Sequence, residues 1–237
     1  MKLSALLAAP LLAALTLTAC QSGPDRLPLK PGTEWVATSQ DWAQQATSVY
    51  QQAGAYVETV AALKPDQKWA VILDVDETVL NNVEYQIGLD ERGETYSSAS
   101  WHDWTAQKSA TLVPGAKGFI ERVNALGGHV ALVTNRKQTE QLWTEENLAA
   151  VGLERSEDFQ VLLTRGSCED CSDKDARFEI VPALLAVQGY PDVEVIAYVG
   201  DNKHDQPDPI GSAKFFCINQ GGMYGTPCAT PPQPVMN

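Results

Sequence analysis

The chain has 237 residues, of which 44% are hydrophobic and 20% are charged, so it is long enough to bury one sizeable core. It carries 17 Lys and Arg against 30 Asp and Glu, a formal net charge of −13, which argues against a partner that is a nucleic acid polymer. The only long apolar run lies at the N-terminus, which excludes a polytopic membrane protein.

Residues 1–19 have the pattern of an export signal. Lys2 is followed by a mostly apolar stretch over residues 3–17, and LTAC at residues 17–20 resembles the bacterial lipobox, in which the cysteine becomes acylated. We therefore expect a lipid on Cys20 and a mature chain of 237 − 19 = 218 residues. The alternatives are an ordinary secretory signal cut nearby or a retained anchor. Gln21 stands where an inner-membrane retention signal would have Asp, which favours the outer membrane of a Gram-negative cell envelope.

Four further cysteines remain if Cys20 is lipidated. An even number in an oxidising compartment favours disulfides, and we expect the two pairs that are local in sequence. A structural zinc site is the alternative, because C-x-x-C is also half of a zinc motif. The expected pairs are Cys168–Cys171 and Cys217–Cys228.

A tether and a folded domain follow the signal. Residues 20–34 are rich in Gly and Pro and predict a poorly ordered tether, with the domain occupying residues 35–237. Apolar residues at helical spacing predict a helix over residues 40–63, which ends before Pro65.

The rest of the domain alternates strands with helices. This alternation predicts an α/β fold with a parallel sheet and helices on both faces, because parallel strands need crossover connections. The predicted strands are 69–73, 130–133, 160–163, 193–199 and 213–217, and the predicted helices are 115–126, 139–151 and 174–187.

Polar residues follow several of these strands. Asp74 and Asp76 come directly after the first strand, and Asp201 follows a later one, so we expect the three carboxylates at one edge of the sheet, where ligands bind in such folds. Crowded carboxylates need a cation, and oxygen ligands suit Mg²⁺. Thr134 and Asn135 follow another strand, and the predicted helix at Lys174 begins at the same edge.

These residues carry a resemblance to a known family. Their order resembles the four motifs of the haloacid dehalogenase (HAD) superfamily, and the run ILDVDETVLNNVEY at residues 72–85 resembles the signature of the class C acid phosphatases, bacterial lipoproteins that include 5′-nucleotidases. The second signature, IAYVGDNKHDQ at residues 196–206, departs from the family pattern at Lys203 and Gln206. The resemblance implies a HAD-like fold for about residues 35–225.

The resemblance also implies roles for the residues at the sheet edge. Asp74 becomes the nucleophile, and Asp76 becomes the general acid and base and a Mg²⁺ ligand through its backbone carbonyl. Asp201 completes the protein ligands, while Asp205 supports the metal site or orients Lys174. The phosphate-binding residues implied are Thr134, Asn135 and Lys174, the last within SDKDAR at residues 172–177.

Residues 81–113 interrupt the strand and helix pattern. In the family this region forms a small cap-like subdomain, here expected to be α-helical. Its aromatic residues Tyr85 and Trp101, together with Tyr224 near the C-terminus, are candidates to stack on a nucleobase. We assign Trp104 to the core of the subdomain. The three histidines, His102, His129 and His204, show no metal-ligand spacing and are expected to be structural or on the surface.

The sequence thus predicts a Mg²⁺-dependent acid phosphatase that acts on small phosphomonoesters, including 5′-nucleotides. One alternative is a phosphatase or phosphotransferase for another organic phosphate. The other is a catalytically silent lipoprotein that binds a ligand. The sequence leaves the preferred leaving group and the oligomeric state open.

Overall fold

A computed structural model of the protein describes residues 26–166 and 172–229. Its central sheet contains five parallel strands, with helices on both faces. The sheet strands are β1 (Trp69–Leu73), β4 (His129–Lys137), β5 (Val161–Arg165), β6 (Glu194–Gly200) and β7 (Lys214–Cys217), and the short pair is β2 (Leu80–Asn81) and β3 (Thr111–Leu112). The helices are α1 (Pro31–Thr38), α2 (Gln40–Leu63), α3 (Val83–Arg92), α4 (Ser98–Gln107), α5 (Ala116–Ala125), α6 (Gln141–Ala150) and α7 (Asp175–Val187).

The strand order is β5-β4-β1-β6-β7, and every neighbouring pair is parallel. Strand β1 lies in the centre and is buried along its whole length, which explains why its sequence is apolar without alternation. Val71 and Leu73 join the larger apolar core with α2 and α5, whereas Ala70 and Ile72 join the core beneath α7. The predicted fold class and the helix over residues 40–63 are confirmed.

The bounds of the other predicted elements agree with the structure to within one residue, except that β5 ends two residues after its predicted end and that β4 and α6 differ as follows. Strand β4 continues to Lys137, four residues beyond the predicted end, and its pairing with β5 is irregular between Val133 and Lys137. A 3₁₀ turn at Gln138–Glu140 replaces the predicted start of α6. The extension carries Asn135 and Arg136 to the edge of the sheet where the candidate site lies.

The predicted tether is wrong for residues 26–34. Residues 31–34 begin α1, and Gly32 packs so closely that an added Cβ would lie 2.8 Å from the carbonyl oxygen of Gly221. The backbone N–H of Lys30 donates to Asp90 Oδ2 at 2.9 Å, and its Nζ lies 2.8 Å from Asp90 Oδ1. Contacts with α3, distant in sequence, therefore order this segment. Residues 1–25, including Cys20, lie outside the described residues, among which no helix is long and apolar enough to cross a membrane.

Residues 81–113 contain α3 and α4 between the paired strands β2 and β3, which are antiparallel. Tyr85 and Trp101 from these helices face the carboxyl edge of the sheet across a cavity. Cys217 and Cys228 form a disulfide, as predicted, which removes two of the four thiolates that a zinc site would need. Cys168 and Cys171 lie outside the described residues.

Candidate active site

A cavity of about 1240 Å³ opens at the carboxyl edge of the sheet, between the sheet loops and the helices of residues 81–113. Asp74 and Asp76, which directly follow β1, lie on its floor. Five aromatic side chains line its walls: Tyr85, Tyr96, Trp101, Phe215 and Tyr224. The ligand position expected for a parallel sheet is therefore an actual cavity in this chain.

Asp74 is buried and paired with Lys174. The β6 backbone fixes its position, since its N–H donates to the carbonyl oxygen of Val199 at 3.0 Å. Lys174 Nζ contacts the Asp74 carboxylate and also Asp205 Oδ1, the latter at 2.6 Å. Burial raises the pKa of Asp74 to about 7, the charges of Asp205 and Asp76 add to the rise, and Lys174 opposes it. Burial also acts to lower the pKa of Lys174, but the two carboxylates outweigh it and the pKa is raised.

Asp74, Asp201 and Asp205 form a buried acidic cluster whose carboxylate oxygens lie within 4.8 Å of one another. Burial, together with the charges of Asp205 and Asp74, raises the pKa of Asp201 well above its ordinary value. When all three carboxylates are ionised, one lysine does not neutralise them, and the cluster then has an excess of negative charge. This donor set, made of oxygen atoms alone, fits a hard divalent cation.

Asp205, for which the resemblance implied a supporting role, contacts both Lys174 and the backbone at Asp201. Its Oδ2 accepts from the backbone N–H of Asp201 at 3.0 Å and of Asn202 at 2.7 Å, while its Oδ1 accepts from Lys174. Gly200 makes this arrangement possible, because an added Cβ there would lie 2.1 Å from the Cβ of Asp205.

The carboxylate of Asp76 is not part of the acidic cluster and pairs with Arg136. Arg136 Nε and Nη2 donate to Asp76 Oδ1 at 2.9 and 2.8 Å, and Asn82 Nδ2 donates to the same oxygen at 2.9 Å. The Arg136 side chain is fully buried and the Asp76 side chain is 16% exposed. Sequence reasoning assigned Arg136 no role, although an arginine in the run after a buried strand was the available signal.

The predicted phosphate-binding residues have different surroundings. Lys174 lines the cavity, as does Asn135, whose amide contacts the carbonyl of Ser172 and the guanidinium of Arg177. Thr134 is fully buried, and its hydroxyl lies 3.4 Å from Asp76 Oδ2. The Thr134 side chain therefore contacts Asp76 and does not line the cavity.

The aromatic candidates lie on two walls of the cavity. Tyr85 and Trp101 meet edge to face with ring centroids 5.1 Å apart, and the Tyr85 hydroxyl contacts Ser100 Oγ at 2.9 Å. Tyr224 comes from the C-terminal segment. Trp104 packs against the core, as predicted, and its Nε1 donates to Asn82 Oδ1 at 2.8 Å.

The histidines do not join the acidic cluster. His102 Nδ1 contacts Glu140 Oε1 at 3.2 Å, and His129 packs against Tyr190 with ring centroids 4.2 Å apart. His204 is exposed at the cavity rim. These placements agree with the structural or surface roles predicted for all three.

Comparison with known proteins decides the family. The sequence model of the HAD superfamily, subfamily IIIB (acid phosphatase), matches residues 27–227. The chain belongs to this family. The family match begins at residue 27, within the segment predicted as a tether. In this HAD subfamily IIIB protein that segment therefore belongs to the domain, in agreement with the packing of α1. The resemblance found in the sequence is thus confirmed.

Individual relatives of this HAD subfamily IIIB protein agree with the assignment. Acid phosphatase 1 from Solanum lycopersicum is 30% identical over 119 residues, which are 50% of this chain and 45% of that protein, so the match spans less than half of its length. The class C acid phosphatase from Bacillus anthracis is 22% identical with a TM-score of 0.66, over 82% of this chain and 84% of that one. The same enzyme with tungstate bound is 23% identical with the same TM-score and coverage. These structures show that the fold is shared.

The two departures from the family signature lie at the cavity. Lys203 is exposed and Gln206 is half-buried, and both line the cavity. The loop keeps its backbone bonds, since Lys203 N–H donates to the carbonyl oxygen of Thr226 at 3.1 Å. The substitutions thus change the cavity wall of this HAD subfamily IIIB protein without removing a residue of the acidic cluster.

Proposed function

We propose that the protein is a Mg²⁺-dependent phosphatase that hydrolyses phosphomonoesters, including 5′-nucleotides, through a phosphoryl intermediate on Asp74. One observation carries the proposal: Asp74 lies on the floor of an aromatic-walled cavity, against Lys174 and beside Asp201 and Asp205. Membership of an acid phosphatase family supports the reaction class.

The residues around Asp74 fit a magnesium ion. Asp74 and Asp201 would bind it through their carboxylates and Asp76 through its backbone carbonyl, with water and substrate in the other positions. When bound, Mg²⁺ offsets negative charge on the phosphoryl oxygens. Lys174 adds a second positive charge at the same place, and its two carboxylate partners keep it protonated.

In the proposed reaction an Asp74 oxygen forms a bond to phosphorus while the bond between phosphorus and the leaving oxygen breaks. Asp76 transfers a proton to that leaving oxygen. Water then attacks phosphorus, Asp76 takes a proton from it, and the bond to Asp74 breaks to release phosphate. Lys174 and the backbone at Thr134 and Asn135 hold the phosphoryl oxygens, which suits a reaction in which positioning and charge stabilisation dominate.

The cavity wall supports nucleotides as substrates. A volume of about 1240 Å³ has room for more than a phosphate, and tyrosine and tryptophan side chains come from both the helices of residues 81–113 and the C-terminal segment. A flat base between such walls would gain about 1–3 kcal/mol from stacking. Every base has a π-face, so purines and pyrimidines are both expected to be accepted.

The test is a panel of nucleoside monophosphates and non-nucleotide phosphomonoesters, assayed with wild-type protein and with Tyr224→Ala. Loss of stacking should lower kcat/KM for nucleotides by roughly five- to a hundredfold and leave a small aryl phosphate little affected. Tyr190→Ala, which removes a tyrosine outside the cavity, is the matched control. Equal losses on both substrate classes would show that Tyr224 is structural and remove the support for nucleotides.

The same panel separates the alternatives. Turnover of one non-nucleotide ester alone, or transfer of phosphate to an added alcohol, would establish another phosphatase or a phosphotransferase. Binding without turnover would establish a silent ligand-binding protein. The presence of Asp74, Asp76 and Lys174 in the cavity lining, with Asp201 next to Asp74, supports turnover instead.

We also propose that Cys20 anchors the protein in the cell envelope, in the outer membrane. The lipobox-like LTAC supports this, and the Cys217–Cys228 disulfide supports an oxidising compartment. Incorporation of labelled palmitate in wild type and its loss in Cys20→Ala is the test. Equal labelling of both would contradict the anchor.

A further inference from the structure

We infer that residues 224–228, here called the C-terminal arm, hold the Asp201 carboxylate in position through the side chain of Asn202. This inference rests on the proposed metal site. It adds positioning residues that lie outside the acidic cluster, and it gives the Cys217–Cys228 disulfide a role in metal binding.

The contact between arm and acidic cluster passes through one amide group. Asn202 Nδ2 donates to Asp201 Oδ2 at 2.6 Å, and Asn202 Oδ1 accepts from the backbone N–H of Thr226 at 2.8 Å. The orientation of the amide is unambiguous, because a carboxylate can only accept and a backbone N–H can only donate. The other carboxylate oxygen, Asp201 Oδ1, lies 3.4 Å from Thr78 Oγ1, so contacts reach both oxygens.

The arm is fixed at both of its ends. At its start, buried Gln220 contacts the backbone of Tyr224. At its end, the disulfide joins Cys228 to Cys217, the last residue of β7, and the backbone N–H of Cys228 donates to the carbonyl oxygen of Asp201 at 3.1 Å. The arm is thereby attached to the same sheet edge that carries the acidic cluster.

Close approach of the arm depends on Gly225. Its φ is +70°, and an added Cβ would lie 2.5 Å from Asn202 Oδ1. A side chain at this position would therefore displace the Asn202 amide from its two partners. The same arm carries Tyr224 into the cavity wall, so one short segment contacts both the acidic cluster and the proposed base site.

The test is calorimetric titration of each protein with Mg²⁺, which does not depend on turnover. Partners that orient metal ligands typically contribute about 10–100-fold to metal affinity, so Asn202→Ala is expected to raise the Kd for Mg²⁺ at least about tenfold. Cys217→Ala/Cys228→Ala is expected to raise it in the same direction. Asn124→Ala, which truncates an amide on α5 that does not line the cavity, is the matched control and should leave the Kd unchanged.

The outcomes separate this inference from the proposed function. Wild-type protein that does not bind Mg²⁺ contradicts the metal site itself. Wild-type binding with an unchanged Kd in Asn202→Ala overturns the inference and leaves the metal site intact. If Asn202→Ala binds Mg²⁺ more weakly but folded Cys217→Ala/Cys228→Ala keeps the wild-type Kd, the role of the disulfide is overturned. If Cys217→Ala/Cys228→Ala does not fold, the Kd of Asn202→Ala alone tests the inference. This variant truncates a half-buried side chain and leaves the disulfide intact.

Discussion

At the scale of single residues, Asp74, the proposed nucleophile, gives the sharpest prediction. Asp74→Asn should lower turnover on the order of a thousandfold or more, because an amide is a poor nucleophile toward phosphorus. The fold should survive, since the substitution keeps the size of the side chain and removes a buried charge that burial disfavours. Steady-state rates and thermal unfolding of the purified variant check both expectations.

The matched control is Asp66→Asn, which changes an exposed carboxylate at the opposite end of β1. It should keep wild-type activity. If Asp74→Asn retains turnover within about tenfold of wild type, Asp74 is not the nucleophile, because that factor corresponds to only about 1.4 kcal/mol of activation free energy.

Asp76 and Arg136 are expected to act as one unit. Asp76→Asn should reduce activity more on alkyl esters than on aryl phosphates, because a poor leaving group depends more on protonation. Arg136→Met should show the same dependence, since the guanidinium orients the carboxylate through two bonds to Oδ1. The double variant should be little worse than the worse single variant.

Arg136→Met should also lower the free energy of unfolding. Loss of one partner of a buried ion pair costs up to about 3–5 kcal/mol, and we expect less here because Asp76 keeps the Asn82 amide and partial contact with solvent. Additive effects of the two substitutions on kcat/KM, or equal losses on alkyl and aryl esters, would contradict a shared role.

The sequence predicted which residues lie at the strand ends, but it did not predict which side chains pair with them. Asp74, Asp76 and Asp201 could be brought together because the carboxyl ends of parallel strands share an edge. Pairing of Arg136 with Asp76 depends on how β4 continues past its regular pairing with β5, which no local pattern predicts. Such contacts are tertiary, and only the folded chain specifies them.

At the scale of elements, α1 shows how a distant residue can order a segment that looks like a linker. Its N-cap residue, Lys30, makes no side-chain capping bond. Asp90 from α3 caps the helix instead. Its carboxylate accepts from the Lys30 N–H and lies at the positive end of the helix dipole. Gly and Pro content alone indicates a tether, and the capping carboxylate lies 60 residues away in sequence.

This capping contact predicts a pH-dependent contribution to stability. Burial acts to raise the pKa of Asp90, but hydrogen bonds from Lys30 and Thr33 outweigh it and hold the pKa below its ordinary value. The unfolded chain therefore binds the proton more tightly, so the contribution is present above about pH 4 and is lost as the pH falls through the folded pKa. Asp90→Asn should lower the free energy of unfolding by about 1–3 kcal/mol at neutral pH.

Urea unfolding at pH 7 and at about pH 3 measures this contribution, and the difference between variant and wild type should shrink at the lower pH. Asp103→Asn changes an exposed carboxylate on α4 and should show no such dependence. A difference that stays constant with pH would assign the effect of Asp90→Asn to packing.

At the scale of the whole molecule, the fold was predictable because apolar runs alternated with helical patterns along nearly the whole domain. The two cores on the faces of the sheet follow from that alternation. The two walls of the cavity do not follow from it, because the C-terminal segment reaches the sheet edge through contacts between residues distant in sequence: the disulfide, backbone bonds and the Asn202 side chain. The cavity joins elements that are far apart in sequence.

The acidic cluster should also affect the stability of the whole protein, because it is expected to bind a cation. Because Asp74, Asp201 and Asp205 are buried with one lysine, a divalent cation should bind the folded state and not the unfolded chain. Mg²⁺ at about 100 times its Kd should then add about 2.7 kcal/mol to the free energy of unfolding. Exhaustive chelation should remove both this increment and the phosphatase activity, and added Mg²⁺ should restore both. Asp201→Asn should lose most of the increment, whereas the surface variant Asp66→Asn should keep it. Activity that survives chelation, or an equal Mg²⁺ increment in Asp201→Asn, would place the cation elsewhere on the protein.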